Sequence, residues 1–179
     1  MSDLQKNYKE KITKDLQKEL GIKNTMAVPE LQKIVVNIGV KNATADKKNM
    51  EIAGDVMAQI TGQKAKITAA KKSIASFKLR EGEKIGLVVT LRGKRMYDFF
   101  EKLVTIVLPR IKDFHGIKKT SFDSRGNYTL GLSEYTVFPE VDLGKAERVQ
   151  GLEITVVTSA KDSKSALTLL KHLGLPFAK

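Results

Sequence analysis

The chain has 179 residues, no Cys, and 32 Lys plus Arg against 20 Asp plus Glu, a formal net charge of +12. A chain of this length can form one domain that buries roughly 70% of its unfolded surface, so it needs neither a disulfide framework nor a metal, and nothing in it argues for secretion. Its longest apolar runs, such as residues 87–89 and 103–108, are too short for a bilayer, so a cytoplasmic protein whose positive field suits polyanions is expected, with no membrane partner.

Residues 1–21 place Leu4, Tyr8, Ile12, Leu16 and Leu20 at four-residue spacing, which predicts a helix with a narrow apolar stripe, capped by Ser2 or Asp3 and stopped by Gly21. After Pro29, residues 33–40 alternate as a strand. Ile34, Val36, Ile38 and Val40 share one face, and Lys33, Val35, Asn37 and Gly39 the other. Thr44 or Asp46 begins a second helix with Met50, Ala53, Val56, Met57 and Ile60 inward, and Gly62 stops it. From Lys64 to Lys84 there are seven Lys or Arg against two Glu and no helical periodicity, a basic, partly unstructured loop over about 64–86. Residues 87–92 are again a strand, with Leu87, Val89 and Leu91 on one face and Val88, Thr90 and Arg92 on the other.

Residues 94–108 predict a helix that buries Met96, Phe99, Phe100, Leu103, Val104 and Val107 until Pro109 breaks it. Residues 110–127 predict a long surface excursion with two exposed aromatics, Phe114 and Phe122. A strand over 128–138 with a bulge near 131–134 follows, then a loop over 139–148 and a strand in which Leu152, Ile154 and Val156 alternate with Glu153, Thr155 and Val157. Asp162 caps a last helix through Leu173, ended by Gly174 and Pro176. The pattern is α+β: a single domain over 1–179, with a mostly antiparallel sheet of about five strands, helices packed on one face and a protruding basic loop. The open sheet face then carries Lys33, Asn37, Thr90 and Arg92.

Catalysis finds little support. His115 and His172 lack metal-ligand spacing, Ser73, Ser121 and Ser124 lack a nucleophile elbow, and the run Gly82-Glu-Lys-Ile-Gly86 lacks the Gly-Lys-Ser/Thr ending of a phosphate loop. Glu134, Glu140 and Asp142 receive no acid or base role, since one sequence cannot show two carboxylates converging. No enzyme activity, metal, cofactor or small-molecule substrate is expected, and an RNA-modifying enzyme is the weaker alternative.

Nucleic-acid binding has two separable signals. Lys64, Lys66, Lys71, Lys72, Lys78, Arg80 and Lys84 suit phosphates and carry little base specificity. On the sheet face, Asn37 and Thr90 suit sugar or base edges and Arg92 a phosphate or guanine clamp. That face has no aromatic pair, so a folded RNA backbone is the better match than a stacked single strand.

Many runs in order resemble one family. They are Lys33-Ile-Val-Val-Asn-Ile-Gly39, Ile60-Thr-Gly-Gln63, Ala69-Ala-Lys-Lys-Ser-Ile-Ala75, Phe77-Lys-Leu-Arg-Glu-Gly82, Val89-Thr-Leu-Arg-Gly93, Leu108-Pro-Arg-Ile-Lys-Asp-Phe114, Ser121-Phe-Asp, Arg125-Gly-Asn-Tyr128, Phe138-Pro-Glu140 and Gly174-Leu-Pro-Phe177. Together they resemble the bacterial large-subunit ribosomal protein five family, from about residue 5 to the C-terminal run. The resemblance implies a ribosomal protein that binds 5S rRNA and helps attach it, among other large-subunit components, in the central protuberance. It implies 5S rRNA contacts at Lys33, Asn37, Gln63, Thr90 and Arg92, of which Gln63 enters through the family alone. It implies contact with the peptidyl-site (P-site) tRNA through Lys71, Lys72, Ser73, Lys78 and Arg80. It also implies a bridge to a small-subunit head protein, for which Arg110, Lys112, Phe114 and Glu140 are candidates. The sequence departs from the family's commonest pattern at Leu143-Gly-Lys145 and at Gln150.

Overall fold

A computed structural model describes residues 3–40, 47–141 and 150–178 of the chain. The proposed caps Thr44 and Asp46 and the run Leu143-Gly-Lys145 lie outside the described residues. Helix α1 covers 3–20 as two α-helical segments, Asp3–Asn7 and Thr13–Leu20, around a π-helical turn, Tyr8–Ile12. Strand β1 (Leu31–Gly39), helix α2 (Lys47–Thr61) and strands β2 (Lys66–Ala69) and β3 (Lys84–Leu91) follow. Helix α3 covers 93–110, again with a π-helical turn, Leu103–Val107, between Gly93–Lys102 and Leu108–Arg110. Strands β4 (Tyr128–Leu132) and β5 (Leu152–Thr158) and helix α4 (Ser163–His172) complete the described elements.

The five strands form one sheet in the order β2-β3-β1-β5-β4. β2 and β3 are antiparallel, Lys66 facing Val88 and Thr68 facing Gly86. Val40 N donates to Ile85 O at 2.9 Å, tying the end of β1 to the start of β3, and Ser159 N donates to Glu30 O at 2.9 Å, tying the end of β5 to the start of β1. Joining ends to starts makes these pairs antiparallel as well. The α+β architecture is therefore as expected.

Two compact units make up the chain: residues up to 34, 91–130 and from 155 onward in the first, and 35–90 with 131–154 in the second. In the first, α1 packs on α3 and α4, burying Tyr8, Ile12 and Leu16 and, on the other helices, Met96, Phe99, Phe100, Leu103, Leu169 and Leu170. The α1 stripe explains its π turn. An α-helix turns about 100° per residue, so an exact four-residue repeat overshoots by about 40° each time, and a wider turn takes up that drift. Gly21 at φ 64° ends α1, with Ile22 N donating to Gln17 O at 3.1 Å. Asp162 caps α4 as expected, accepting from Ser165 N at 3.2 Å. In the second unit the predicted α2 stripe Met50, Ala53, Val56, Met57 and Ile60 is buried, as are Val36, Ile38, Leu87 and Val89.

Three expectations are corrected. The strand expected over 128–138 ends at Leu132. Beyond it a 3₁₀ turn, Tyr135–Val137, buries the Tyr135 ring while its N–H donates to Gln150 O at 3.1 Å. The phase shift taken for a bulge is the exit into that turn. Pro109 does not end α3, which continues through Arg110 until Ile111 turns extended. Residues 110–127 are stitched down rather than free: Ile117 is buried, its N–H donates to Pro176 O at 2.9 Å, and its carbonyl accepts from Ala178 N at 3.0 Å. Phe122, expected exposed, packs 4.8 Å from the Tyr128 ring and 6.0 Å from the Phe177 ring.

Candidate nucleic-acid interface

In the second unit α2 covers one side of the sheet, and the alternation of β1 and β3 turns Val35, Asn37 and Gly39, and Val88 and Thr90, to the other. Asn37 is exposed there and Thr90 half-buried. Gly86 keeps this face shallow. A Cβ at that position would stand 2.9 Å from Ile38 O and 2.9 Å from Thr68 Oγ1. Because directly opposed residues of a pair share a face, Lys66 and Thr68 of β2 lie with Val88 and Gly86. Sequence periodicity assigned Lys66 to the basic loop. The structure moves it to the sheet, and the short alternation Lys66-Ile67-Thr68 was the available signal.

Gln63 reaches the same unit's β3 through the end of α2. The buried Thr61 hydroxyl donates to Met57 O at 2.7 Å and accepts from Gln63 N at 3.3 Å, while Gly62 takes φ 65°. A left-handed residue closes a helix readily only as glycine. The turn it makes carries the Gln63 amide back toward β3, where Nε2 donates to Thr90 O at 3.5 Å. Asn37, Gln63 and Thr90 are thus held by one unit, and nothing in the local polarity of Gln63 singles it out.

The basic loop is an ordered hairpin, not an unstructured arm. Beyond β2 and β3 it is closed by Ala70 N to Glu83 O (2.8 Å) and Gly82 N to Ala70 O (3.0 Å), and at its tip by reciprocal bonds between Ile74 and Leu79 of 2.9 and 3.1 Å. Ser73 Oγ accepts from Glu81 N at 3.0 Å, and Glu83 Oε2 accepts from Arg80 N at 3.0 Å. One acid and one hydroxyl therefore shape the hairpin from within. Lys71, Lys72, Lys78 and Arg80 are all exposed on it.

Lys33 and Arg92 belong to the first unit, Lys33 half-buried on β1 and Arg92 exposed at the start of α3. Of the bridge candidates, Arg110 and Lys112 are exposed just where α3 ends and Phe114 is half-buried, whereas the exposed Glu140 belongs to the second unit. The nearby loop at Asp123 is rigid: its carboxylate accepts from Asn127 Nδ2 and Asn127 N, each at 2.7 Å, and from Arg125 N at 2.9 Å. The side-chain bond from Asn127, then those from the backbone, hold the Asp123 carboxyl below its ordinary value. His172 Nε2 lies 2.6 Å from Glu19 Oε2, and His115 is exposed. Among the described residues no group of three or more His, Asp or Glu is placed to hold a metal ion, and no helix is long and apolar enough to cross a membrane.

Comparison with known proteins covers nearly the whole chain. The family described as ribosomal protein L5 matches residues 24–80, and the C-terminal part of that same ribosomal family, described separately, matches residues 84–177. The chain is 52% identical over 178 residues to the large ribosomal subunit protein uL5 of Mesoplasma florum, covering 99% of each. It is 50% identical over 177 residues to the protein of that name from Brachyspira hyodysenteriae, covering 99% of this chain and 95% of the other. Against that of Flavobacterium johnsoniae it is 52% identical over 176 residues, covering 98% and 96%.

Proposed function

The chain belongs to the ribosomal protein L5 family of the large ribosomal subunit, and from that premise we propose that it binds 5S rRNA and helps attach it in the central protuberance. It is an RNA-binding protein of translation, as its family is, and its location is the ribosome. Lys33, Asn37, Gln63, Thr90 and Arg92 contact the 5S rRNA. The hairpin cations Lys71, Lys72, Lys78 and Arg80 contact P-site tRNA, with Ser73 setting the hairpin's shape beside them. Arg110, Lys112, Phe114 and Glu140 serve the bridge to a small-subunit head protein.

The observation that carries this reading is the uncovered sheet face of the second unit, where Asn37, Thr90 and the capped Gln63 offer hydrogen-bonding groups around the small Gly39 and Gly86. Groups of this reach suit the shallow minor groove and loops of structured RNA. The hairpin is set apart by its chemistry, point charges on a closed scaffold, which favours phosphates over bases.

A salt-series titration of the purified chain with 5S rRNA and with an unrelated RNA of equal length tests it. Arg92→Ala or Asn37→Ala weakens 5S rRNA binding by ~1–3 kcal/mol, and Lys71→Ala with Lys72→Ala leaves it nearly intact. Equal affinity for both RNAs at moderate salt would sink the 5S rRNA assignment, and a more damaging double Lys change would sink the division between sheet face and hairpin.

A further inference from the structure

Phe77 is 76% exposed, and beside it on the hairpin tip Ile74 is 42% exposed. Among the described residues the other large exposed hydrophobics are aliphatic, Met26, Ile67 and Ile106. Leaving a phenyl ring in water forgoes the burial that aromatic side chains otherwise bring, so its position asks for a partner. The backbone is built to hold it there. Ile74 and Leu79 pair across the tip, Phe77 N donates to Ile74 O at 3.3 Å and Lys78 N to Ala75 O at 3.0 Å, closing a 3₁₀ turn over Ala75–Phe77. The turn ends with Lys78 at φ 50°, a left-handed conformation that costs a side-chain-bearing residue on the order of 1 kcal/mol. Such strain is tolerated where the surrounding bonds impose it. Here it turns the chain directly after the aromatic ring.

The ring's neighbours in the hairpin are the exposed Lys71, Lys72, Lys78 and Arg80. A flat π face among cations matches the two features of an RNA surface, base planes and phosphates, together. A purely electrostatic probe would need no ring. We propose that Phe77 is a base-stacking residue: the hairpin tip lays its ring on an exposed nucleobase of the tRNA while Lys71, Lys72, Lys78 and Arg80 take the surrounding phosphates. This rests on the reading of the hairpin as a tRNA contact given above, and adds to it a base as the recognised group.

The test uses ribosomes assembled with variant chains and measures the dissociation rate of P-site tRNA. Phe77→Ala speeds release by about tenfold, in line with loss of one stacked base. Phe77→Tyr keeps the π face and the slow release, whereas Phe77→Leu, apolar and of similar bulk, releases as fast as Phe77→Ala. Equal release from the Tyr and Leu variants, or wild-type release from Phe77→Ala, overturns stacking. Binding of the purified chain to phosphatidylserine vesicles that is lost in Phe77→Ala, with tRNA release unchanged, overturns it in favour of a lipid surface. The variant Lys71→Ala with Lys72→Ala separates the two levels: if it speeds release while Phe77→Ala does not, only the base contact falls; if neither does, the tRNA reading falls as well.

Discussion

Replacing Gly86 by Ala places a methyl group where the sheet of the second unit has no room. The added carbon would stand 2.9 Å from Ile38 O and 2.9 Å from Thr68 Oγ1, with Gly39 Cα at 3.8 Å. Comfortable separations for a carbon are about 3.5–4.0 Å. Thr68 can turn its hydroxyl away, but Ile38 O is backbone of β1 and yields only if that strand moves against β3. Overpacking of this kind costs ~1–3 kcal/mol, and the reduced freedom of the unfolded chain offsets ~0.4–1 kcal/mol of it, leaving a net loss of about 1–2 kcal/mol. For a chain of this size that is a fall in melting temperature of roughly 2–8 °C. Gly39→Ala is the matched control on the same face, since a Cβ there meets nothing within 4 Å. Urea and thermal unfolding of the purified chain would then place Gly86→Ala below wild type and Gly39→Ala at or above it. Adding Thr68→Ala to Gly86→Ala recovers part of the loss, because the Ile38 carbonyl remains. If the two glycine variants unfold alike, the steric account of this face is wrong.

Lys66→Ala weakens 5S rRNA binding and lowers the salt slope of that titration by about 1, because Lys66 lies with Val88 on the sheet; an unchanged slope would return it to the hairpin's role. Tyr8→Phe removes the hydroxyl that donates to Pro29 O at 2.8 Å and costs ~1–2 kcal/mol in denaturant unfolding, the buried carbonyl being left without its partner. Tyr97 gives a pH signature. Burial, with the nearby Glu30 charge adding to it, pushes its phenol up from 10.0 to about 12. A raised folded value means the neutral ring is favoured in the native state, so its contribution is complete below pH 10 and is lost as pH rises toward 12. Tyr97→Phe therefore flattens the alkaline fall in stability over that window, and a fall of the same steepness in the variant would remove Tyr97 as its cause.

The alternation of Ile34, Val36 and Ile38 against Lys33, Val35 and Asn37, and the stripe from Met50 to Ile60, are legible in the sequence because they are local. A strand repeats every two residues and a helix about every 3.6, so each residue's face follows from its near neighbours. The same holds for the caps at Gly21, Gly62 and Asp162, and for the polar pair Asn37 and Thr90 on outward strand positions. Phe122 was misjudged because its cover is Phe177, far along the chain, and residues 110–127 seemed free because their backbone partners lie at 176–178. Gln63 was silent for a related reason: its amide meets Thr90 O only after Gly62 has turned the chain.

The basic run from Lys64 to Lys84 divides the two kinds of knowledge most sharply. Its charge, and hence its suitability for a polyanion, was determined by the sequence alone, since charge needs no neighbour to exist. Where each charge stands was decided by pairing between strands: the register of β2 on β3 put Lys66 on the sheet face, and the bonds between Ile74 and Leu79 set Phe77 and Lys78 at an exposed tip. Such pairings join residues that composition and periodicity treat as independent, so only the tertiary structure assigned those side chains to a surface.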